Sequence, residues 1–277
     1  MAGAFDKEFY KDKSWGAVTI KDAKDLPTLK LSYLMELLRG RKKRTASLLE
    51  MGSGSGRILM SIQQRDLSIR LTGVELSRSQ VALAKSHSAG IAYVVGDAQR
   101  LPFPNSSFDY VIIMDFLEHI ERPADAIKEA YRVLKKGGVL YASVPCEDQF
   151  LSPYWLSKRI FRRHFKEATA GHIQQFRIRD VERFCTRARF RIAQERYSYH
   201  LLGSMMDYTL FTLLLNKRLA KIFWAKNKYY QKPGRQSFAS KMLNLLMTIG
   251  NAIAYYESKL LARVRFTSTN VHIIARK

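Results

Sequence analysis

Two cysteines in 277 residues, Cys146 and Cys185, leave no material for a disulfide framework. A reducing, cytoplasmic compartment is therefore the expectation. Long apolar runs are also missing. The two apolar blocks, residues 201–215 (interrupted by Asp207) and 242–256, fall short of the roughly 20 residues a membrane-spanning helix needs. The opening ten residues carry Asp6, Lys7 and Glu8 where an export signal would want an apolar stretch. Acidic residues are scarce in one half only. Residues 151–277 hold 6 Asp and Glu against 25 Lys and Arg, whereas residues 1–150 hold 18 against 22. A net charge of +23 that is polarised in this way calls for an anionic partner, either nucleic acid or the surface of an anionic membrane.

What is present is enough apolar material for a packed core: 47% of residues are hydrophobic. The first half alternates short apolar runs with helical patterns. Strands are expected at 47–51, 69–75, 91–95, 110–114 and 139–144, with helices at 57–63, 79–86 and 124–134. The run Leu134-Lys135-Lys136-Gly137-Gly138 reads as a helix end, with cations in the last turn and glycine after it. Such alternation predicts an α/β, Rossmann-like, mostly parallel sheet with helices on both faces. Ligands of these sheets lie beyond the carboxyl ends of the strands. Farther on, 179–186 reads as a helix, and 190–197 and 270–275 as strands. This divides the chain into a main domain, 1–199 with 267–277, and a basic, apolar helical insertion at 200–266.

The first strand runs into Glu50-Met51-Gly52-Ser53-Gly54-Ser55-Gly56-Arg57. Closely spaced glycines permit a sharp turn and direct contact between a ligand and the main chain. No Gly-Lys-Ser/Thr follows, which excludes the nucleotide-phosphate loop. The dinucleotide pattern would place its third glycine at position 57, which is Arg57. Glu75 closes the second strand, where a carboxylate can accept from both ribose hydroxyls. Gly96-Asp97-Ala98 follows the third, where Asp97 can accept from the exocyclic amine of a purine. Cradle, ribose anchor and base anchor thus arrive in chain order.

The run Leu48-Leu49-Glu50-Met51-Gly52-Ser53-Gly54-Ser55-Gly56 resembles the first motif of class I S-adenosylmethionine-dependent methyltransferases. Residues 96–109, Gly96-Asp97-Ala98 through Leu101-Pro102-Phe103-Pro104 to Phe108-Asp109, resemble the type 11 branch that includes the ubiquinone and menaquinone methyltransferases. So do Leu117-Glu118-His119-Ile120 with Pro123, and 134–138. The resemblance implies S-adenosyl-L-methionine as cofactor. It places Gly52, Gly54 and Gly56 against the methionine part, Glu75 against the ribose, and Asp97 with Ala98 against the adenine. Asp115 would lie near cofactor or acceptor, and Glu50 would help to hold the methionine ammonium. It also suggests an N-terminal cover over the cofactor, where Trp15 could be a contact, although a packed aromatic is the leading expectation for that residue.

Methyl transfer from a sulfonium requires alignment of the acceptor and exclusion of water, with a general base where the acceptor must lose a proton. His119, just after the fourth strand, and His172, in a segment able to fold over the cleft, are the candidate bases. The other histidines have no metal-ligand spacing, and no metal is expected. Within the insertion, residues 217–241 hold eight cations, no acid, and interleaved Phe223, Trp224, Tyr229, Tyr230 and Phe238. That composition suits a segment lying among lipid headgroups, or a helical cap. The leading expectation is a methyltransferase acting on a small hydrophobic or lipid-linked acceptor, with peripheral contact to an anionic membrane. A nucleic-acid methyltransferase is the alternative. The amino-methylating kind is disfavoured because Asp115-Phe116-Leu117-Glu118 replaces Asn/Asp-Pro-Pro-aromatic. Cys146 could serve a pyrimidine-attacking kind as nucleophile. A non-catalytic cofactor or membrane scaffold is the third possibility.

Overall fold

The computed structural model describes residues 19–20, 22–40, 45–65, 68–161, 166, 170–213, 215–216 and 238–277. Trp15 and the cationic run 217–237 lie outside the described residues, as do the side chains of 238–244.

Seven strands form one sheet: β1 (Ala46–Met51), β2 (Ile69–Glu75), β3 (Ala92–Val95), β4 (Phe108–Met114), β5 (Leu134–Pro145), β6 (Arg191–Ser198) and β7 (Asn270–Arg276). Their order is β3-β2-β1-β4-β5-β7-β6. β1 pairs in parallel with β2 and β4, β2 with β3, and β4 with β5. β7 alone runs the other way, antiparallel to both β5 and β6. The eight α-helices of the described residues are α1 (Leu26–Arg39), α2 (Arg57–Gln63), α3 (Arg78–His87), α4 (Pro123–Val133), α5 (Pro153–Phe161), α6 (Ile178–Arg187), α7 (Leu201–Leu213) and α8 (Phe238–Leu260).

The central strands are covered on both sides, so they read as unbroken apolar runs rather than alternating ones. All six residues of β1 are buried. Leu49, Val111, Ile113, Leu140 and Ala142 face a core closed by Ala126, Ile127 and Ala130 of α4 and by Ile178 and Val181 of α6. Leu48, Ile112 and Tyr141 face the other core, with Leu34 and Leu38 of α1, Leu59 and Ile62 of α2, and Ala254 and Tyr255 of α8. Each fully buried Leu, Ile or Val contributes about 1.5–3 kcal/mol. α1 starts at Asp25, whose carboxylate accepts the Thr28 N–H at 2.9 Å, with a proline in its first turn.

The helix end expected at 134–138 differs. α4 stops at Val133, and Leu134 already has extended angles and opens β5. Lys135 reaches Asp109 at 2.8 Å instead of capping the helix. Asp109 also accepts the N–H and hydroxyl of Ser47, at 3.0 and 2.8 Å. It pins the starts of β1, β4 and β5 together, at the end of the sheet away from the strands' carboxyl termini. α7 and α8 pack on each other, with Gly203 close to Ala254, and Glu257 accepts the N–H groups of Leu202 and Gly203.

Candidate active site

Beyond β1 the chain enters the left-handed region at Gly52 (φ 71°) and Gly54 (φ 50°), which excludes most side chains. The two glycines meet different surroundings. A Cβ at Gly52 would fall 2.1 Å from Cδ2 of Phe116, whereas one at Gly54 would meet nothing within 4 Å. Open space beside Gly54 is where a ligand can lie on the main chain. The Gly52 and Ser53 N–H groups donate to the Val74 carbonyl at 2.9 and 3.0 Å, binding the turn to the end of β2.

Glu75 holds this turn. One carboxylate oxygen accepts the Gly54 N–H at 3.0 Å, and the other accepts the Ser77 N–H at 2.9 Å. Each carboxylate oxygen keeps a further lone pair for a ligand hydroxyl. Gly96 joins the same edge, its N–H donating to the Glu75 carbonyl at 3.0 Å. Asp97 accepts the Gln99 N–H at 2.8 Å and stays half-buried, while Ala98 is buried. Residues 52, 54, 75 and 97, expected on separate strand ends, therefore share one edge of the sheet.

Glu50 is buried beneath the turn, and its Oε2 has no hydrogen-bond partner. Burial, reinforced by the charge of Glu75, pushes its carboxyl well above the usual range. An arriving ammonium would reverse that balance and provide the missing partner.

Asp115 follows β4 in a left-handed conformation (φ 48°). Lys30 of α1 binds its carboxylate at 2.6 and 2.7 Å and lies over the ring of Tyr199. No sequence signal marks Lys30, because it crosses 85 residues to reach this position.

Two residues after Asp115 comes the 3₁₀ turn Leu117–His119. His119 Nδ1 lies 3.0 Å from the Gly171 carbonyl, and its Nε2 3.7 Å from Glu118 Oε1. Burial, with the neighbouring His172, lowers its pKa to about 4. His172 stacks edge-on at 4.9 Å, and its Nδ1 is 2.8 Å from Glu147 Oε1. The two histidines expected as bases are thus neighbours. Glu147 also binds Lys166 at 2.9 Å, and Lys166 binds Asp207 at 2.7 Å. Burial would raise the Glu147 carboxyl, but Lys166 and His172 outweigh it and hold it well below its ordinary value. Asp207 accepts the Tyr154 hydroxyl at 2.8 Å, which carries the chain of charges to α5 and α7.

Glu118 lies between these groups. It is 1% exposed, neither side-chain oxygen has a hydrogen-bond partner, and burial followed by the charge of Asp115 raises its pKa well above the usual range. Sequence reasoning passed over Glu118 in favour of the adjacent His119, and missed Glu147 and Lys166 altogether. Cys146 is buried as well, and burial pushes its thiol up, which disfavours it as a nucleophile. A cavity of about 810 Å³ between α1, β6 and α8, lined by Tyr33, Glu36, Arg196, Tyr255 and Arg263, contains none of the expected cofactor residues.

A sheet of this order with one reversed strand, and a glycine cradle, a carboxylate and an aspartate on consecutive strand ends, defines a Rossmann-like methyltransferase. Residues 49–142 match the family model described as a methyltransferase domain. The chain is 30% identical over 173 residues to the ubiquinone/menaquinone biosynthesis C-methyltransferase of Methylobacterium nodulans, covering 57% of this chain and 68% of that protein. It therefore belongs to the class I S-adenosylmethionine-dependent methyltransferases of the type 11 branch, whose cofactor is S-adenosylmethionine.

Two other relatives are matched over less of their length. An uncharacterized protein of Methanocaldococcus jannaschii is 32% identical over 43% of this chain and 55% of its own. The chloroplastic 2-methyl-6-phytyl-1,4-hydroquinone methyltransferase 2 of Oryza sativa is 33% identical over 42% of this chain and 32% of its own. The chain thus spans about half of the first relative and a third of the second. Among solved structures, the [4+2]-cyclase SpnF superposes with a TM-score of 0.56 at 21% identity, covering 88% of this chain and 80% of that one. Geranyl diphosphate methyltransferase gives 0.56 at 15% identity, covering 90% and 78%. Both share the fold.

The site suits the cofactor on two counts: the open cradle at Gly54, and the orphaned carboxyl oxygen of Glu50 beneath it.

Proposed function

We propose that this chain transfers the methyl group of S-adenosylmethionine to a small hydrophobic or lipid-linked acceptor at a membrane surface. Bound cofactor supplies an electrophilic methyl carbon on a sulfonium. The main chain at Gly52, Gly54 and Gly56 carries the methionine portion, and Glu50 accepts from its ammonium. Glu75 accepts from the ribose hydroxyls, and Asp97 with Ala98 borders the adenine. Asp115, fixed by Lys30, stands between cofactor and acceptor. His119 and His172 receive the acceptor, and any proton it sheds leaves on their side. The buried surroundings of Glu118 and His172 exclude water from the reacting atoms.

The observation that carries the acceptor class is an apolar stripe on α8. Leu245, Ile249, Ile253, Tyr256 and Leu260 recur at three- and four-residue intervals, and all are exposed. Leu201, Leu202 and Met205 of the adjoining α7 are exposed too. Among the described residues no helix is long and apolar enough to cross a membrane. A stripe of this kind lies in an interface, and the cationic run 217–237 between the two helices in sequence suits anionic headgroups. Relatives named for a phytyl-hydroquinone and for ubiquinone or menaquinone biosynthesis point to the same chemistry. We read residues 200–266 as the unit that admits such an acceptor.

Turnover of a prenylated hydroquinone in anionic vesicles, set against its short-chain analogue in buffer and against RNA, tests the reading. Faster methylation of the vesicle-bound acceptor is expected. Methylation of RNA alone, or binding of a nicotinamide dinucleotide in place of S-adenosylhomocysteine, would overturn it.

A further inference from the structure

Glu118, His119 and His172 bring one ligand atom each within 4.8 Å of one another. Their hydrogen bonds fix which atoms face inward. The Gly171 carbonyl only accepts, so His119 Nδ1 carries the proton in that 3.0 Å contact and Nε2 keeps the lone pair. Nδ1 of His172 is engaged by Glu147 in the same way, so Nε2 is the ring atom it can offer a metal. Imidazoles that ligate metals are oriented like this, their second nitrogen held by a carbonyl or a carboxylate. The third group is the one this fold leaves unsatisfied. Burying a carboxylate with no hydrogen-bond partner on either side-chain oxygen is costly, and neither oxygen of Glu118 has one.

We propose that Glu118 and the Nε2 atoms of His119 and His172 hold a divalent first-row transition ion. Two imidazoles and one carboxylate suit Zn²⁺ or Fe²⁺ better than Mg²⁺ or Ca²⁺, which take oxygen ligands. Bonds of about 2.0–2.1 Å in a tetrahedron set ligand atoms roughly 3.4 Å apart. His119 Nε2 and Glu118 Oε1, at 3.7 Å, already approach that spacing. Three protein ligands leave one coordination position open. Resting on the acceptor reading above, that position takes an acceptor hydroxyl beside the methylated atom, as a hydroquinone-type substrate would offer.

Titration of the untagged, chelator-treated full chain with Co²⁺ alone, followed by its visible ligand-field bands, tests the site without acceptor or cofactor. One Co²⁺ per chain, displaced by Zn²⁺, is expected. Glu118→Gln should weaken binding at least as much as the roughly 100-fold that an outer-shell change can cost, while leaving the melting temperature nearly unchanged. Where that variant does not fold, hyperfine-shifted ring protons of both histidines in the wild-type Co²⁺ form carry the same conclusion. Absence of stoichiometric uptake, or uptake that survives Glu118→Gln, or unshifted histidine rings, overturns the proposal. S-adenosylhomocysteine binding by the same preparation reports the cofactor edge separately, so failure of one reading is distinguished from failure of the other.

Discussion

At the scale of single residues, the two glycines of the cradle should fail differently when a methyl group is added. Gly52→Ala forces a Cβ into the Phe116 ring at a positive φ. Left-handed strain of about 1–2 kcal/mol adds to overpacking of about 1–3 kcal/mol, so denaturant unfolding should show a large loss of stability. Gly54→Ala carries only the strain, because its Cβ meets no atom. Its methyl points into the space proposed for the ligand. S-adenosylhomocysteine affinity, measured by calorimetry, should fall about tenfold or more, equal to ~1.4 kcal/mol, beyond any change in folding. Equal loss of affinity and stability in the two variants would mean that the turn shapes the fold and not a ligand. The positions of Glu75 and Asp97 at strand ends were legible in the sequence, because Glu75 closes the run of β2 and Asp97 follows the end of β3 by two residues. Lys30 and Glu147 were not, because a lone charged residue in a sequence does not disclose a partner brought in by the packing of distant elements.

At the scale of elements, the segment between β3 and β4 is held by α4 through one carboxylate. Glu129 accepts the Leu101 N–H at 2.7 Å and two bonds from Arg132, whose guanidinium also donates to the carbonyls of Leu101 and Phe103. Bonds to charged groups contribute about 1.5–3 kcal/mol, so Glu129→Gln should cost roughly 2 kcal/mol in urea unfolding at neutral pH. The Arg132 bond, opposed by partial burial, lowers the Glu129 pKa below 4.5. A depressed carboxyl contributes its stability above the unfolded value and loses it as pH falls through the folded one. The gap between wild type and variant should therefore narrow below the ordinary carboxylate range. A gap that widened in acid would refute the pairing. Strand 47–51 was readable because burial on both faces keeps it mostly apolar, and 69–75 because its buried Leu71, Gly73 and Val74 interrupt polar positions. The helix end at Leu134–Gly138 was misread, since cations followed by glycine also suit a strand entering the sheet: Lys135 answers Asp109, and Gly137 turns at φ 74°. That β7 inserts between β5 and β6 was illegible, because strand order is decided by contacts between segments far apart in the chain.

Across the whole molecule, two edges carry the function proposed: the carboxyl ends of the strands, and the outer face of α8. Charge and apolar surface predict different behaviour at the second. A purely electrostatic attachment, driven by 25 cations against 6 acids in residues 151–277, would vanish at high salt. Insertion of the α8 stripe would persist, because burial of each large apolar side chain contributes about 1.5–3 kcal/mol whatever the ionic strength. Ile249 and Ile253 lie at the middle of the stripe, one turn apart, and both are exposed. The double change Ile249→Glu with Ile253→Glu leaves every cation in place, so it separates the two contributions. Surface substitutions of this kind alter folding by about 0.5 kcal/mol or less, and the cofactor edge is elsewhere. Sedimentation with anionic vesicles in high salt should be lost in the double variant while S-adenosylhomocysteine affinity and melting temperature hold. Wild type should retain part of its vesicle binding in high salt. Binding by the variant equal to wild type would take the stripe out of the interface and leave α8 as a cap over the sheet.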